Sequence, residues 1–295
     1  MPNQSDAMSE MEFKDKFIGF VDILGWKVKV KAAEAGTGMS LAELKEALKE
    51  LGTSEDQRKF EKYGPMTCPE SSYVQRNIDF QLTRVSDCVI VSSEISPAGV
   101  INLVNHCWGA VLRLLAKGFM CRGYITRGSI YHTNEPEMIG SGYQEALHKE
   151  PQVSAFKRKA DEIGTPFVEV DPAVCNYVRD HGDSCVKKMF SRYVREDGIV
   201  TALFPFQRLQ HSFIVGDLPG HSFDIERERQ SNKNMCSMIK EMKECVKAFV
   251  DRSKPDVVDK AEHYIAALDA QLEVCKKTDE MIDMLGSPFP RGRIK

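Results

Sequence analysis

Residues 17–26 read FIGFVDILGW. Apart from Asp22 and its two glycines the run is apolar without alternation. That reads as a strand buried on both faces, not as one face of a half-exposed sheet. The sheet of the protein is therefore expected to be built around this segment. Asp22, at its end, is the residue that needs explaining. An unpaired carboxylate in apolar surroundings costs several kcal/mol, and its own segment offers no lysine or arginine at strand-neighbour spacing.

Working outward, residues 1–15 are polar and acidic and predict a frayed, disordered arm. SLAELKEALKEL (40–51) predicts an amphipathic helix, with Ser40 as N-cap and Glu43 at the capping-box position. Residues 52–76, with Gly64, Pro65 and Pro69, predict a long loop or lid. NIDFQLTRVSDCVIVSS (77–93) predicts two strands joined by a tight turn near Ser86-Asp87. Residues 97–117 predict a helix opened by Pro97 and closed by Gly118. FMCRGYITRGSIY (119–131) predicts a strand, 140–162 a helix interrupted by Pro151, and PFVEV (166–170) a strand. A short helix follows, then a strand pair (189–195 and 199–206) turning at Asp197-Gly198. Two long amphipathic helices are expected over 226–250 and 255–285, before a loose basic tail, SPFPRGRIK.

The fold class implied is α/β of the α+β type, a ferredoxin-like βαββαβ core with added strands. The domain reading is an arm (1–15), an α/β domain (16–210) and a helical extension (211–295). In the βαββαβ order the first strand lies beside a strand of the central hairpin. The first strand's end and the hairpin turn then meet at one edge.

The chain has 295 residues, enough for one or two domains and a sizeable core. Lys plus Arg is 40 and Asp plus Glu 43, a net charge of -3. That balance excludes a dedicated nucleic-acid coat or a membrane-surface binder, and no stable nucleic-acid partner is expected. No apolar run reaches the roughly 20 residues of a membrane span. The N-terminus lacks the basic and apolar regions of a signal peptide, so the expected compartment is cytoplasmic. The 9 cysteines include no CxxC and fit no zinc framework, and are expected to be reduced, mostly buried thiols.

Asp87 sits at the predicted hairpin turn. Two carboxylates brought together repel unless a cation lies between them. A divalent ion with hard oxygen ligands answers this, Mg²⁺ or Mn²⁺ when phosphates complete the shell. The plainer alternative is that Asp22 caps a loop and Asp87 fills a turn, where Asp is common. There is no G-x-x-x-x-G-K-[ST] phosphate loop and no G-x-S-x-G elbow, and the seven histidines show no metal-ligand spacing.

Four segments together resemble a known family. FVDILGW resembles the F-x-D-I-x-G-F segment of class III-type nucleotidyl cyclases. RVSDCVIVSS resembles the hairpin bearing their second metal-binding Asp. CRGYITRGSIY resembles their following R-G-x-I-x-x-G strand, and IGSGYQEALHKE their G-x-x-x-N-x-A-x-R helix. The matches stand in family order over residues 17–170. EDGIVTALFPF and KAEHYIAAL are similar to stand-alone bacterial members, the Pycsar anti-phage pyrimidine cyclases.

The resemblance implies a cyclase catalytic domain making a 3′,5′-cyclic pyrimidine nucleotide and pyrophosphate, with UTP favoured over CTP. It implies two Mn²⁺ or Mg²⁺ ions per site held by Asp22, Asp87 and the Ile23 carbonyl. Phe20, Ile23, Leu24, Gly25 and Trp26 would line the substrate, the 23–26 backbone facing the triphosphate. Thr83 falls where purine cyclases carry a base-reading lysine, with Arg84 beside it, and Glu137 where they carry a second base reader. Gln144 stands at the ribose-orienting Asn and His148 at the arginine that stabilises the phosphate. The missing lysine points to a pyrimidine. The missing arginine leaves Arg84, Arg122 and Arg127 as alternative cations. The implied mechanism is in-line attack of the ribose 3′-oxygen on the α-phosphorus, driven by geometry and electrostatics. The implied partners are a second copy of the chain, with residues 137–148 serving the other copy's metals, and a separate effector reached through the cyclic product.

Two other readings compete. One is a catalytically silent module that senses nucleotide or RNA, which Gln144 and His148 favour. The other is a polymerase-type palm, against which RVSDC counts because it lacks G-G-D/E-E-F.

Overall fold

The computed structural model describes residues 11–64, 77–133, 137–198, 200–209 and 224–286. The chain divides into two compact units, Met1–Pro205 and Phe206–Lys295.

The first unit opens with β1 (Lys14–Ile23), whose last eight residues are almost entirely buried. Three short helices follow: α1 (Trp26–Glu34), α2 (Leu41–Lys49) and α3 (Ser54–Tyr63). The Ser40–Glu43 capping box forms as expected, the Ser40 hydroxyl accepting from the Glu43 amide and the Glu43 carboxylate from the Ser40 amide. The hairpin of β2 (Gln81–Val85) and β3 (Cys88–Glu94) turns through Ser86 and Asp87, with Ser86 at φ 53°. Helix α4 (Pro97–Ala116) is capped by Ser96, which accepts from the Gly99 amide at 3.0 Å. Then come β4 (Cys121–His132), the two-residue β5 (Met138–Ile139), α5 (Ser141–Lys149) and β6 (Val168–Val170). Helices α6 (Pro172–His181) and α7 (Ser184–Phe190) lead to β7 (Val194–Asp197) and β8 (Val200–Leu203).

The protein is mixed α and β. Its sheet runs β2-β3-β1-β4-β6-β8-β7, with β5 on β4. β1 lies between β3 and β4, antiparallel to both, the neighbour relation expected of the first strand and the hairpin. β6 is parallel to β4.

Side chains alternate across a strand, and each face of β1 has its own cover. On the odd face, α4 lies so close that a Cβ on Gly19 would meet Cys107 Sγ at 2.8 Å. Among the described residues α4 is the one helix long and apolar enough to cross a membrane, but 78% of that window is buried in the protein. On the even face Ile18, Phe20, Ile90, Tyr124 and Ile130 form one core cluster with Ala146 of α5.

Several expectations are corrected. The strand begins at Lys14, inside the predicted arm. Residues 54–63 are helix rather than lid, because Thr53 and Asp56 cap each other reciprocally (2.8 and 3.4 Å); residues 65–76 of that segment lie outside the described residues, as do 1–10 of the arm and the tail from 287. The helix expected over 140–162 stops at Lys149, and Pro151 lies within a single 3-10 turn, Glu150–Gln152. Residues 27–34, given no element in the sequence reading, form a helix that starts at Trp26. The single short helix after β6 is two helices. The following strand pair is shorter than expected, because Phe190 still belongs to α7 and Phe206 to a 3-10 turn. Of the described cysteines Cys185 is disulfide-bonded, against the all-thiol expectation, and the others are free.

In the second unit α8 (Ile225–Phe249) and α9 (Pro255–Gly286) match the two predicted long helices closely. They run antiparallel. Arg229 meets Asp283 at 2.7 Å, Asn232 Nδ2 donates to the Cys275 carbonyl at 2.8 Å, and Lys243 bonds Asp269. Ala261, Tyr264, Leu268, Gln271, Cys275, Thr278 and Ile282, all buried on α9, fall on a three-and-four spacing, the stripe that packs two helices side by side.

Candidate active site

Asp22 stands opposite Cys88 of β3 and Arg122 of β4. The next amide, Ile23 N–H, donates to the Asp87 carbonyl at 3.1 Å, and Leu24 N–H to the Met120 carbonyl at 2.9 Å. These two bonds tie the end of β1 to the hairpin turn and to the start of β4. Asp22 and Asp87, distant in sequence, are thereby brought to one edge of the sheet.

The electrostatics follow from that placement. Burial, first, and then the negative charges of Asp87 and Glu150 push the Asp22 carboxyl up from 3.8 to about 7, against the pull of Arg122. The neighbouring Cys88 thiol is pushed up to about 12, by burial and then by Asp22 and Asp87. Arg122 is already engaged: its Nε donates to Glu150 Oε1 and its Nη1 to the Gly164 carbonyl at 3.4 Å.

Asp22 and Asp87 therefore repel each other, and Arg122, the cation that acts on Asp22, is shared with a third carboxylate, Glu150. Among the described residues no group of three or more His, Cys, Asp or Glu side chains makes a complete metal cage. Two carboxylates without a cage fit Mg²⁺ or Mn²⁺, which bind through one or two carboxylates plus substrate phosphates and water.

The loop that follows also bears on anions. Gly25 is the N-cap of α1 at φ 75°, with no heavy atom within 4 Å of where a Cβ would be. Glycine is there for the left-handed turn, not for lack of room. No side chain caps α1, and its N-terminus directly follows Asp22 and Ile23. A helix N-terminus offers unpaired N–H groups and a positive dipole end to phosphate.

The remaining expected residues divide in two. Phe20 is buried against Tyr143 (ring centroids 6.4 Å), and Trp26 packs on Phe119 (6.0 Å). Thr83 is buried opposite Ile90, in the cross-strand row of Phe20, so it lies two residues, about 7 Å, from the row of Asp22. Its hydroxyl is 3.0 Å from His132 Nε2, and Ser92 Oγ is 2.9 Å from His132 Nδ1. Burial, aided by Lys16, lowers the His132 pKa to about 4, so the ring is neutral: one nitrogen donates and the other accepts.

Arg84 reaches the Leu48 carbonyl at 3.1 Å, and Arg127 chelates Asp15 at 2.7 and 2.9 Å from the odd face of β4. Glu137, Gln144 and His148 are exposed, and the His148 ring lies 3.3 Å from Gln152 Nε2.

Glu150 and His132 went unread in the sequence. Glu150 ends a helix before a proline, and nothing local sets it apart from a solvated helix-end carboxylate. Its role needs the pairing of Asp22 with Arg122, which only the sheet register supplies.

No protein-family model matches the chain, and no curated protein matches it.

Proposed function

We propose that the protein is a metal-dependent nucleotidyl cyclase that converts a pyrimidine nucleoside triphosphate to its 3′,5′-cyclic monophosphate and pyrophosphate. The observation that carries this reading is the meeting of Asp22 and Asp87 at one sheet edge, with the Asp22 carboxyl raised to about 7 and the facing Arg122 already bonded to Glu150. The strand order β2-β3-β1-β4 supports a ferredoxin-like cyclase core around that edge.

Asp22, Asp87 and the Ile23 carbonyl would hold Mg²⁺ or Mn²⁺, which would supply charge neutralisation to the phosphates and acidity to the ribose 3′-hydroxyl. The chain's own part is positional. The 23–26 turn and the N-terminus of α1 cradle the phosphate oxygens. The sheet edge fixes the carboxylates, and Thr83, two residues along β2 from their row with its hydroxyl on His132, stands at the lysine position that the resemblance implies. With a neutral hydroxyl there in place of a lysine, a pyrimidine is the expected substrate, UTP ahead of CTP. A head-to-tail pair of chains, an effector responding to the cyclic product and a role in anti-phage defence belong to the same proposal.

The test is to incubate the protein with each of the four ribonucleoside triphosphates and Mn²⁺ and to separate the products by chromatography. A cyclic pyrimidine nucleotide that vanishes in Asp22→Asn supports the reading. No cyclic product from any of the four ends it. Thermal stabilisation by nucleotide without turnover would favour the silent sensing module, for which the exposed, Gln152-bound His148 at the arginine position speaks.

A further inference from the structure

The two antiparallel helices of the second unit keep a regular register. Arg229 of α8 bonds Asp283 of α9 at 2.7 Å, and about one turn on Asn232 bonds Asp279 at 2.7 Å. Farther along, Lys243 bonds Asp269. Each turn forward on α8 thus answers one turn back on α9. The next step after Asn232 and Asp279, four residues on each helix, is Cys236 and Cys275.

The two thiols meet there, their side chains hydrogen-bonded to each other. Both are free, and they differ in access: Cys275 is 0% exposed, whereas Cys236 is half-buried. Burial, and then Cys236 itself, pushes the Cys275 thiol up. Cys245, also free and half-buried on α8, has no thiol partner among the described residues. A reachable thiol in contact with a buried one is the arrangement of an attacking and a resolving cysteine.

We propose that Cys236 is a thiol-modification site, S-thiolated by a low-molecular-weight disulfide of the glutathione class, and that Cys275 resolves the adduct into an intramolecular disulfide joining α8 to α9. In the first step Cys236 gives its proton to solvent and its sulfur attacks one sulfur of the small disulfide. That S–S bond breaks, and one small thiolate leaves and takes up a proton. In the second step Cys275 loses its proton and attacks Cys236 Sγ. The mixed disulfide breaks, and the second small thiolate leaves and is protonated. Two protein thiols are oxidised and one small disulfide is reduced to two thiols. Contact between the sulfurs makes the second step intramolecular, so it competes well with free thiol in solution. The proposal is independent of the cyclase reading and stands whatever binds at Asp22.

The experiment is to reduce the full chain, remove the reductant, incubate with oxidised glutathione, quench with acid, alkylate the remaining thiols and map the tryptic peptides by mass. Trypsin releases Cys236 in 234–240, Cys245 in 244–247 and Cys275 in 261–276. In the wild-type chain 234–240 is expected joined to 261–276, exceeding glutathionylated 234–240 by roughly tenfold or more. Cys275→Ala is expected to stop at the adduct, with glutathione retained on 234–240. Cys236→Ala is expected to leave 261–276 unmodified.

Glutathione that accumulates on wild-type 234–240 without the cross-link overturns the proposal, as does a Cys236 that stays fully alkylatable after the treatment. Glutathione on Cys275 in Cys236→Ala overturns the assigned order of attack. Circular dichroism checks that the variants fold. If one does not, the wild-type map decides alone: the cross-linked pair upholds the proposal and its absence overturns it.

Discussion

The backbone amide of Ile23 donates to the backbone carbonyl of Asp87 at 3.1 Å, so the two acidic residues of the site are joined through main chain and not only through sheet register. Their carboxylates can change without loosening that tie. Asp22→Asn and Asp87→Asn are accordingly expected to fold, and each to lower cyclic-nucleotide formation by roughly 10²-fold or more, the scale on which a site loses preorganised charge stabilisation. Initial rates with saturating Mn²⁺, beside circular dichroism of the same samples, check this. Full activity in either variant would remove the pair from the chemistry.

The raised Asp22 carboxyl has a consequence for stability with a definite sign. Its folded-state pKa of about 7 lies above the ordinary 3.8, so the folded protein binds this proton more tightly than the unfolded chain does. Stability must then fall as pH rises from about 4 to 7 and stay at its reduced level above 7. Asp22→Asn removes the penalty: it should melt higher than wild type at pH 8 without metal, and the difference should shrink toward pH 4.

The same charge governs metal binding. Protons compete with the cation for Asp22, so Mn²⁺ affinity should decline as pH drops below about 7. Mn²⁺ should raise the melting temperature of the wild-type protein at pH 8 and leave that of Asp22→Asn nearly unmoved. Thermal scans across pH with and without Mn²⁺ give both answers. An equal Mn²⁺ shift in the variant would show that the ion binds elsewhere.

The buried trio Thr83, His132 and Ser92 makes a separate prediction. His132 is 4% exposed, and each ring nitrogen has one hydroxyl partner. Thr83→Val keeps the shape and strands Nε2, which costs about 1–3 kcal/mol for an unsatisfied buried group. Ser92→Ala strands Nδ1 at a similar cost. Because both act through one ring, the double variant should be less destabilised than the sum. Denaturant unfolding of the two single variants and the double variant measures the coupling, and strict additivity would show that the ring does not link them.

What could be read in the chain beforehand follows from how local each signal is. The buried strand around Asp22, the hairpin turn at Ser86-Asp87, the Ser40–Glu43 cap and both long C-terminal helices rest on patterns within about twenty residues, and they form as read. The α3 helix was hidden because Thr53 and Asp56, its reciprocal cap, lie beside Gly52 in a stretch rich in charge and poor in apolar periodicity. Arg122 could be named only as one of three arginines, and Glu150 not at all, because their pairing depends on which strand lies beside β1 and on where α5 stops. The trio around His132 is likewise assembled from three strands that no local pattern connects.

Two glycines of the first unit separate a position held by conformation from one held by close approach. At Gly25 the backbone is left-handed at φ 75° and a Cβ would meet nothing within 4 Å. At Gly142, on α5, a Cβ would lie 2.4 Å from Ile18 Cδ1 and 3.0 Å from the Gly128 Cα, so the helix rests almost on the backbone of β4. Gly25→Ala should cost about 1–2 kcal/mol through the left-handed strain alone, and Gly25→Asn less, because Asn tolerates that conformation. At Gly142 the order reverses: Ala is expected to cost about 1–3 kcal/mol through overpacking, and the larger Asn more, since neither backbone can give way. Denaturant midpoints for the four variants decide it. A Gly142→Asn that is more stable than Gly142→Ala would mean that α5 can lift from the sheet, and with it the Glu150 that holds Arg122.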